Sequence, residues 1–306
     1  MPPAADSSLE PLYRQAAEAT AKGSKSFYFA TRFFPPALAR AAHSVYWFCR
    51  YTDDLADECE TVERGRRDIE EWSGRLKQAE DGAQDVHPVL RLFLHTAREY
   101  EIPLGYAHEL IEGMRMDLTR SRYPDFPSLR LFCYRVASVV GLMMSWVIGF
   151  ENPVDRERAL PHAIDLGIAM QLTNILRDIG EDRSRGRIYI PQDEMARFGY
   201  SEESLLAGER NRAFSNLMSF QVERARAYYE QGNKGIPLLD PRGRFAVKIA
   251  SDVYREILMC VEASRFDVFE HRAVVPAARK YWLTARNLSL PILRHSVSRL
   301  PFWRQP

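Results

Sequence analysis

Cysteine is scarce in this sequence of 306 residues, which contains four in total. They lie far apart, at Cys49, Cys59, Cys133 and Cys260, and none belongs to the CxxC spacing of zinc and redox motifs. This pattern is typical of reduced, packed thiols and argues against a disulfide or zinc framework. We therefore expect no structural metal.

Long apolar runs are also lacking. A membrane-spanning helix needs about 18 or more predominantly apolar residues, whereas the most apolar stretch, residues 136–150, is interrupted by Ser138, Gly141 and Ser145. The N-terminus opens with prolines and acidic residues, where a secretory signal would have basic residues followed by an apolar core. We expect a cytoplasmic protein that is not integral to a membrane.

Acidic residues are absent after Glu270, while the same stretch carries seven Lys and Arg residues. Removing these seven charges from the net charge of +1 leaves −6 for the first 271 residues. The near-neutral total argues against a general nucleic-acid binder. Residues 276–306 also contain tryptophan, tyrosine and phenylalanine, so we predict a basic amphipathic tail. It would either contact anionic lipid at the inner face of the membrane or pack on the acidic body.

Helical periodicity dominates the chain from about Leu9 onward, and alternating runs typical of strands are nearly absent. No linker or repeat divides it, so we predict an all-α fold with one domain at residues 9–275, after a disordered segment at residues 1–8. The predicted helices are residues 12–21, 37–55, 69–79, 89–100, 106–119, 129–149, 161–179, 203–207, 210–232, 241–264 and 277–288.

Polar side chains form a stripe on the predicted helix at residues 37–55 and its continuation. At about 100° per residue, Tyr46, Arg50, Asp53 and Asp57 fall within about 60° of one another, and Asp54 lies beside them. An aromatic ring, a guanidinium and two carboxylates therefore share one face of a helix that is otherwise largely apolar.

A second stripe lies on the predicted helix at residues 161–179 and just beyond it. Gln171, Asn174, Asp178 and Asp182 span about 80° of arc. Either stripe alone could be a solvated, salt-bridged helix face. However, stacked like charges on apolar helices are costly unless a cation neutralises them. Carboxylate and amide oxygens suit Mg²⁺ bound together with the phosphates of a substrate, so two facing stripes would form a magnesium-diphosphate site.

The segment at residues 23–27 is a third candidate element. Ser24, Lys25 and Ser26 place hydroxyls, an ammonium group and backbone amides at a helix junction, which suits an anion. The alternative is a helix cap, the commoner role of a serine in this position.

Four motifs in this order resemble those of the squalene and phytoene synthases, over about residues 15–275. They are SKSF at 24–27, YWFCRYTDDLADE at 46–58, YRVASVVGLM at 134–143 and QLTNILRDIGEDRSRGRIYIP at 171–191. The resemblance implies a single-domain isoprenoid synthase helical bundle with a central apolar cavity. It also implies catalysis dependent on Mg²⁺, or on Mn²⁺ in its place.

The resemblance further implies roles for individual residues. The implied metal ligands are Asp53, Asp57, Asn174, Asp178 and Asp182. The implied catalytic residues are Asp53, Asp57, Asp178, Asp182, Tyr46 and Tyr134. The implied substrate-binding residues are Ser24, Lys25, Ser26, Tyr46, Arg50, Gln171, Asn174, Arg177 and Tyr254. Aromatic faces that could stabilise a carbocation by cation–π attraction are Phe27, Tyr46, Phe48, Tyr134 and Tyr254, although core packing is the simpler role for Phe27 and Phe48.

The implied reaction joins two prenyl diphosphates head to head through a cyclopropylcarbinyl diphosphate. The runs at residues 113–123 and 133–144 resemble phytoene synthases in particular, which implies two C20 geranylgeranyl diphosphates as substrates, phytoene as product and no use of NADPH. One alternative is a C15-specific relative that makes squalene, presqualene diphosphate or dehydrosqualene from farnesyl diphosphate. A more remote alternative is a non-catalytic all-α scaffold, in which eroded aspartates would be expected.

Overall fold

The structure is a computed structural model that describes residues 7–83 and 85–288. This part of the chain is helical and contains no β-strand, which confirms the all-α prediction. Its α-helices are α1 Glu10–Gly23, α2 Lys25–Thr31, α3 Pro36–Asp57, α4 Val62–Glu80, α5 Pro88–Glu99, α6 Gly105–Thr119, α7 Phe126–Cys133, α8 Val139–Ile148, α9 Asp155–Ser184, α10 Gln192–Arg197, α11 Glu202–Ala207, α12 Arg212–Asn233, α13 Pro241–Ala263 and α14 Ala277–Leu288.

The predicted helices correspond to observed ones, and two short helices were missed. These are α2 and α10, of seven and six residues. A helix of fewer than two full turns shows too little of its 3.6-residue period to be recognised from apolar spacing. The predicted helix at residues 129–149 corresponds to α7, a π-helical segment at Tyr134–Ser138, and α8.

The 30-residue helix α9 lies at the centre of the bundle, where α8, α12 and α13 pack against it. One core cluster is formed mainly by α3, α4, α5, α6 and α8, and a second by α9, α12 and α13 with the segments between them. Phe48 of α3 is fully buried in the first cluster and stacks on Phe93, with ring centroids 4.1 Å apart. Core packing is therefore confirmed for Phe48, and burying such a ring stabilises the fold by roughly 1.5–3 kcal/mol.

Small residues let α8 and α9 approach each other closely. A Cβ atom on Gly167 of α9 would lie 2.4 Å from the Cα of Ser138, the last residue of the π-helical segment that leads into α8, and one on Gly141 of α8 would lie 3.1 Å from the carbonyl oxygen of Ala163. Glycine in mid-helix costs up to about 1 kcal/mol relative to alanine. Here the contact between the two helices offsets that cost, because a side chain at either position would push them apart.

The helical run Phe126–Ile148 corrects the expectation drawn from apolar runs. It has 23 residues and a mean hydropathy of 1.7, so by length and composition it could cross a membrane. Ser138, Gly141 and Ser145 do not interrupt the run. Half of its most apolar window is buried inside the protein. A core helix of a soluble protein has the same length and composition, so this segment alone does not establish a membrane protein.

The first part of the predicted tail forms α14 and packs on the bundle. Leu283 is 2% exposed and belongs to a small core cluster with Phe245 and Ile249 of α13. Asn287 donates a 2.7 Å hydrogen bond to the buried carboxylate of Asp252. The remainder of the predicted tail, residues 289–306, and most of the predicted disordered segment, residues 1–6, lie outside the described residues.

Candidate active site

A cavity of about 870 Å³ lies between the helices. One part of its wall is charged and includes both predicted aspartate stripes, and the rest is mainly apolar. The charged and polar wall is formed by Lys22, Ser24, Lys25, Ser26, Arg50, Asp53, Asp57, Asp117, Gln171, Asn174, Arg177, Asp178, Glu181, Asp182, Arg185, Arg187, Arg272 and Lys280. The apolar wall includes Phe27, Phe34, Met114, Phe132, Val136, Val140, Met144, Ile148, Leu166, Met170, Ile236, Leu239, Val247, Ile257 and Val275.

The first stripe is held at the C-terminal end of α3. Thr52 is fully buried and accepts a 2.9 Å hydrogen bond from the indole nitrogen of Trp72, which fixes the rear of the helix to α4. Asp53 and Asp57 therefore project from the opposite side into the cavity. Arg50 donates to Asp53 at 3.2 Å, as expected for residues three apart on a helix.

The second stripe follows α9. The cavity is lined by Gln171, Asn174, Asp178 and Asp182. The side-chain nitrogen of Asn174 donates a 3.3 Å hydrogen bond to the side-chain oxygen of Gln171. The other side of α9 at this level is buried in the protein. Leu172 and Leu176 belong to the second core cluster, and the hydroxyl of Thr173 forms a hydrogen bond with the phenol of Tyr229. Local periodicity predicted each stripe, and the packing of the bundle brings them to one cavity.

One carboxylate in each stripe is destabilised in its charged form. Burial, followed by repulsion from Asp57, raises the pKa of Asp53 to about 7. Burial, followed by repulsion from Asp178, raises the pKa of Asp182 to about 7. Asp117 contributes repulsion to both shifts. Although burial opposes it, hydrogen bonds from Arg177 and Arg272 lower the pKa of Asp178. A cation placed between the stripes would relieve this repulsion.

The donor set fits Mg²⁺ in one particular way. Within residues 7–83 and 85–288, no three His, Cys, Asp or Glu side chains converge to hold a metal ion on their own. Mg²⁺ is usually bound by one or two carboxylates together with water and the phosphates of a substrate, not by a cage of protein ligands. Repelling carboxylate pairs that face a cavity match that mode of binding, in which a diphosphate supplies the missing oxygens.

Several basic residues of the cavity were missed by the sequence interpretation. Arg187 donates to Asp57 at 2.9 Å, and Arg272 donates to Asp178 at 2.8 Å. Arg185 lies 3.7 Å from Asp57. Arg185 and Arg187 lie within the motif at residues 171–191. Arginines at regular spacing directly after an acidic stripe could have indicated that they lie at the same site. Arg272 comes from the basic stretch near the C-terminus, and no local pattern places it beside α9.

The serines at the start of α2 serve the helix as well as the cavity. Ser24 caps α2 by accepting a 3.3 Å hydrogen bond from the backbone amide of Phe27, which confirms the cap interpretation. Ser26 accepts a 3.2 Å hydrogen bond from the ammonium group of Lys280. Burial and the neighbouring charge of Lys25 lower the pKa of Lys280. Two cations crowded beside a helix N-terminus form a surface suited to an anion.

The aromatic candidates separate into two groups. Tyr46 and Phe27 line the cavity and stack on each other at 5.3 Å, and Tyr254 also lines it. Gly23 makes room for Tyr46, because a Cβ atom there would lie 2.4 Å from the phenol oxygen. Tyr134 is not among the cavity-lining residues; it packs half-buried against the first core cluster. Its catalytic role stays a prediction.

Comparison with known proteins identifies relatives over nearly the whole chain. The family model described as "Squalene/phytoene synthase" matches residues 20–279. A 15-cis-phytoene synthase of Synechococcus elongatus is 39% identical over 304 residues, covering 97% of each chain. Phytoene synthase 1, chloroplastic, of Arabidopsis thaliana is 36% identical, covering 97% of this chain and 71% of the relative.

Solved structures with the same fold were also found. A dehydrosqualene synthase in complex with ligand superimposes with a TM-score of 0.85 at 29% identity, covering 92% of this chain and 97% of the other. A squalene synthase, HpnC from Alicyclobacillus acidocaldarius, has a TM-score of 0.76 at 24% identity, covering 85% and 96% of the two chains. The bundle described above is thus the all-α isoprenoid synthase fold.

Proposed function

Because this chain belongs to the squalene/phytoene synthase family, we propose that it is a prenyltransferase that condenses two geranylgeranyl diphosphates head to head into phytoene. The observation that carries the proposal is the convergence of both aspartate stripes on one cavity with an otherwise apolar wall. The curated relatives named phytoene synthase support the C20 substrate. All four aspartates of the stripes are retained at the cavity, which argues against a non-catalytic scaffold.

The charged part of the cavity would bind the diphosphate groups. Asp53, Asp57, Asn174, Asp178 and Asp182 would hold Mg²⁺ ions, which when bound act as Lewis acids that neutralise a leaving diphosphate. Basic side chains and hydroxyls would bind the phosphate oxygens directly, with charge-assisted hydrogen bonds. Those residues are Ser24, Lys25, Ser26, Arg50 and Arg177, joined by Arg187, Arg272 and Lys280.

The apolar part of the cavity would accept the prenyl chains and exclude water. Loss of diphosphate leaves an allylic carbocation, which any water molecule would capture as an alcohol. Tyr46, Phe27 and Tyr254 present aromatic rings close to the charged wall, and cation–π attraction of about 0.5–2 kcal/mol from each would stabilise the cation. C1 of this cation would add to the C2–C3 double bond of the second diphosphate, and loss of a proton from the same C1 would close the ring of the cyclopropylcarbinyl diphosphate. Loss of the second diphosphate and rearrangement would then join the two C1 carbons, and loss of a further proton would give the hydrocarbon.

The nearest competing substrate is farnesyl diphosphate, because a dehydrosqualene synthase shares the fold at 29% identity. Purified protein should be incubated with Mg²⁺ and either the C15 or the C20 diphosphate, with and without NADPH, and the hydrocarbons separated by chromatography. We expect phytoene from the C20 substrate without NADPH. Exclusive use of the C15 substrate, or a strict need for NADPH, would refute the proposal.

Removal of one carboxylate from either stripe tests the site. We expect Asp53→Ala and Asp178→Ala each to lower turnover by roughly a hundredfold or more, because each variant loses a ligand of the ion that stabilises the leaving group. Asp68→Ala is the matched control, since Asp68 also pairs with an arginine on its own helix but lies on α4 and does not line the cavity. Activity within a few-fold of wild type for Asp53→Ala or Asp178→Ala would show that the assignment is wrong.

We also propose that the protein is cytoplasmic and contacts the membrane surface through its C-terminal region. Tyr281 and Trp282 of α14 are 60% and 48% exposed, and the guanidinium groups of Arg279 and Arg286 lie over the Trp282 ring at 4.3 and 5.1 Å. Exposed aromatic rings flanked by cations suit an anionic bilayer interface. A hydrocarbon product insoluble in water would leave such a surface directly into lipid.

Packing on the acidic body is the alternative for this region, and the contact of Arg279 with Glu256 at 2.7 Å favours it for α14. Liposome co-sedimentation separates the two roles. We expect the full chain, but not a chain ending at Leu288 that also carries Tyr281→Ser and Trp282→Ser, to bind anionic vesicles at low salt and to be released at high salt. Failure of the full chain to bind, or equal binding by the variant, would refute membrane contact.

A further inference from the structure

A buried carboxylate outside both stripes also lines the charged wall of the cavity. Asp117 of α6 has a side chain only 8% exposed. One of its oxygens accepts a 2.6 Å hydrogen bond from the phenol of Tyr189, and the other lies 2.9 Å from Nη1 of Arg187. The same Nη1 donates to Oδ1 of Asp57 at 2.9 Å. One guanidinium nitrogen is therefore shared between Asp117 and the first aspartate stripe.

The surrounding fold holds Asp117, Arg187 and Tyr189 rigidly. Ile188 forms an isolated parallel β-bridge with Arg122, and in such backbone the side chains on either side of it, Arg187 and Tyr189, point the same way. The amide of Ile188 donates a 2.9 Å hydrogen bond to the carbonyl of Ser121, which ties this segment to the chain after α6. The Tyr189 ring stacks on Phe132 at 5.3 Å, which leaves its phenol oxygen little freedom except toward Asp117.

We propose that Asp117 is a positioning residue of the magnesium-diphosphate site, which holds Arg187 on Oδ1 of Asp57 so that Oδ2, which Arg185 approaches only to 3.7 Å, stays available to the metal. The inference rests on the proposed function, but concerns Asp117 and Tyr189, to which neither the motifs nor the comparisons assign a role. Arg187 shared with Asp117 neutralises only part of the charge on Asp57. Arg187 released from Asp117 would close on both oxygens of Asp57 as a bidentate pair, the geometry that guanidinium and carboxylate prefer.

The chain offers a closely matched control for a change at Asp117. Asp155 at the start of α9 has a side chain 7% exposed and also accepts from one arginine, Arg158 at 2.9 Å, and one neutral donor, Asn152 at 2.9 Å. It does not line the cavity. Asp155→Asn therefore repeats the loss of a buried carboxylate that pairs with an arginine, at a place where no diphosphate would bind.

The test measures metal binding separately from turnover. The melting temperature of the full-length protein is followed while Mg²⁺ is titrated at a fixed concentration of inorganic diphosphate. We expect Asp117→Asn to raise the Mg²⁺ concentration for half-maximal stabilisation by about 10- to 100-fold, as is common when a group that orients a metal ligand is lost. Tyr189→Phe, which keeps the stacked ring, should raise it by a smaller factor, and Asp155→Asn should leave it within about twofold of wild type.

An unchanged Mg²⁺ midpoint in Asp117→Asn would overturn the inference, even if the variant melts at a lower temperature, because a purely structural role predicts that pattern. If Asp117→Asn does not fold, an unchanged midpoint in Tyr189→Phe would overturn it. The proposed function fails separately, when wild-type protein makes no phytoene from the C20 substrate. Wild-type protein that gains no stability from Mg²⁺ and diphosphate would overturn both.

Discussion

Substitution of Gly180 by alanine tests how the segment after α13 is held over the active site. Gly180 lies in α9, between Asp178 and Asp182, and its amide donates a 3.2 Å hydrogen bond to the carbonyl of Val268. An added Cβ atom would lie 2.5 and 2.6 Å from the carbonyl oxygens of Phe269 and Val268. Real Cβ atoms do not approach backbone atoms so closely, so the segment must move.

The expected magnitude follows from two opposed effects. Alanine in mid-helix stabilises by up to about 1 kcal/mol relative to glycine. Overpacking against backbone costs typically about 1–3 kcal/mol, and displacement would also expose part of Val268 and Phe269, which are 3% and 8% exposed. We expect a net loss of about 2 kcal/mol in the free energy of unfolding. Arg272 follows in the same segment, so its contact with Asp178 should weaken and turnover should fall.

Urea denaturation provides the measurement, and Gly74→Ala provides the control. Gly74 lies inside α4, and a Cβ atom there would meet no other atom within 4 Å. The same substitution should therefore stabilise by up to about 1 kcal/mol at Gly74 and destabilise at Gly180. If Gly180→Ala were as stable as Gly74→Ala, the close packing of this segment on α9 would be wrong.

Three further substitutions test the packing that holds the site. Phe48→Ala should cost about 3–5 kcal/mol in urea denaturation, since a fully buried stacked ring is lost; a cost below 1 kcal/mol would contradict this. Thr52→Val should cost about 1–3 kcal/mol, because the buried indole of Trp72 loses its acceptor; an unchanged midpoint would count against it. Burial lowers the pKa of His43, so below pH 6.5 the unfolded chain binds more protons than the folded chain. The free energy of unfolding therefore decreases as the pH is lowered through this range. His43→Gln should reduce that fall between pH 7 and pH 5, and an identical pH profile would refute the cause.

Local sequence pattern was sufficient for the helices and for the composition of each stripe. Asp53 and Asp57, like Asp178 and Asp182, are four residues apart, and helix geometry alone places such pairs on one face. Apolar spacing likewise identified every helix longer than seven residues as all or part of a predicted one. These features depend on interactions within one or two turns, which any short window of sequence contains.

Contacts between distant segments were decided by tertiary structure alone. Arg272 reaches Asp178 across 94 positions of sequence, and Lys280 reaches Ser26 across 254. No periodicity relates such residues, because their distance depends on how α9, α13 and α14 pack. For the same reason the sequence showed that the stretch after Glu270 is basic but did not show where it lies in the fold. The residues of α14 were therefore assigned to a tail.

Asp117 illustrates the difference most directly. In the sequence it is the one acidic residue among three arginines in the run at 113–123, and nothing nearby distinguishes it from a solvated side chain. In the structure it is buried beside a tyrosine and an arginine that follow it by 72 and 70 positions. Spacing along a helix is a property of the backbone and can be read from sequence. The partners of a buried charge depend on which helices surround it, and only the folded chain determines them.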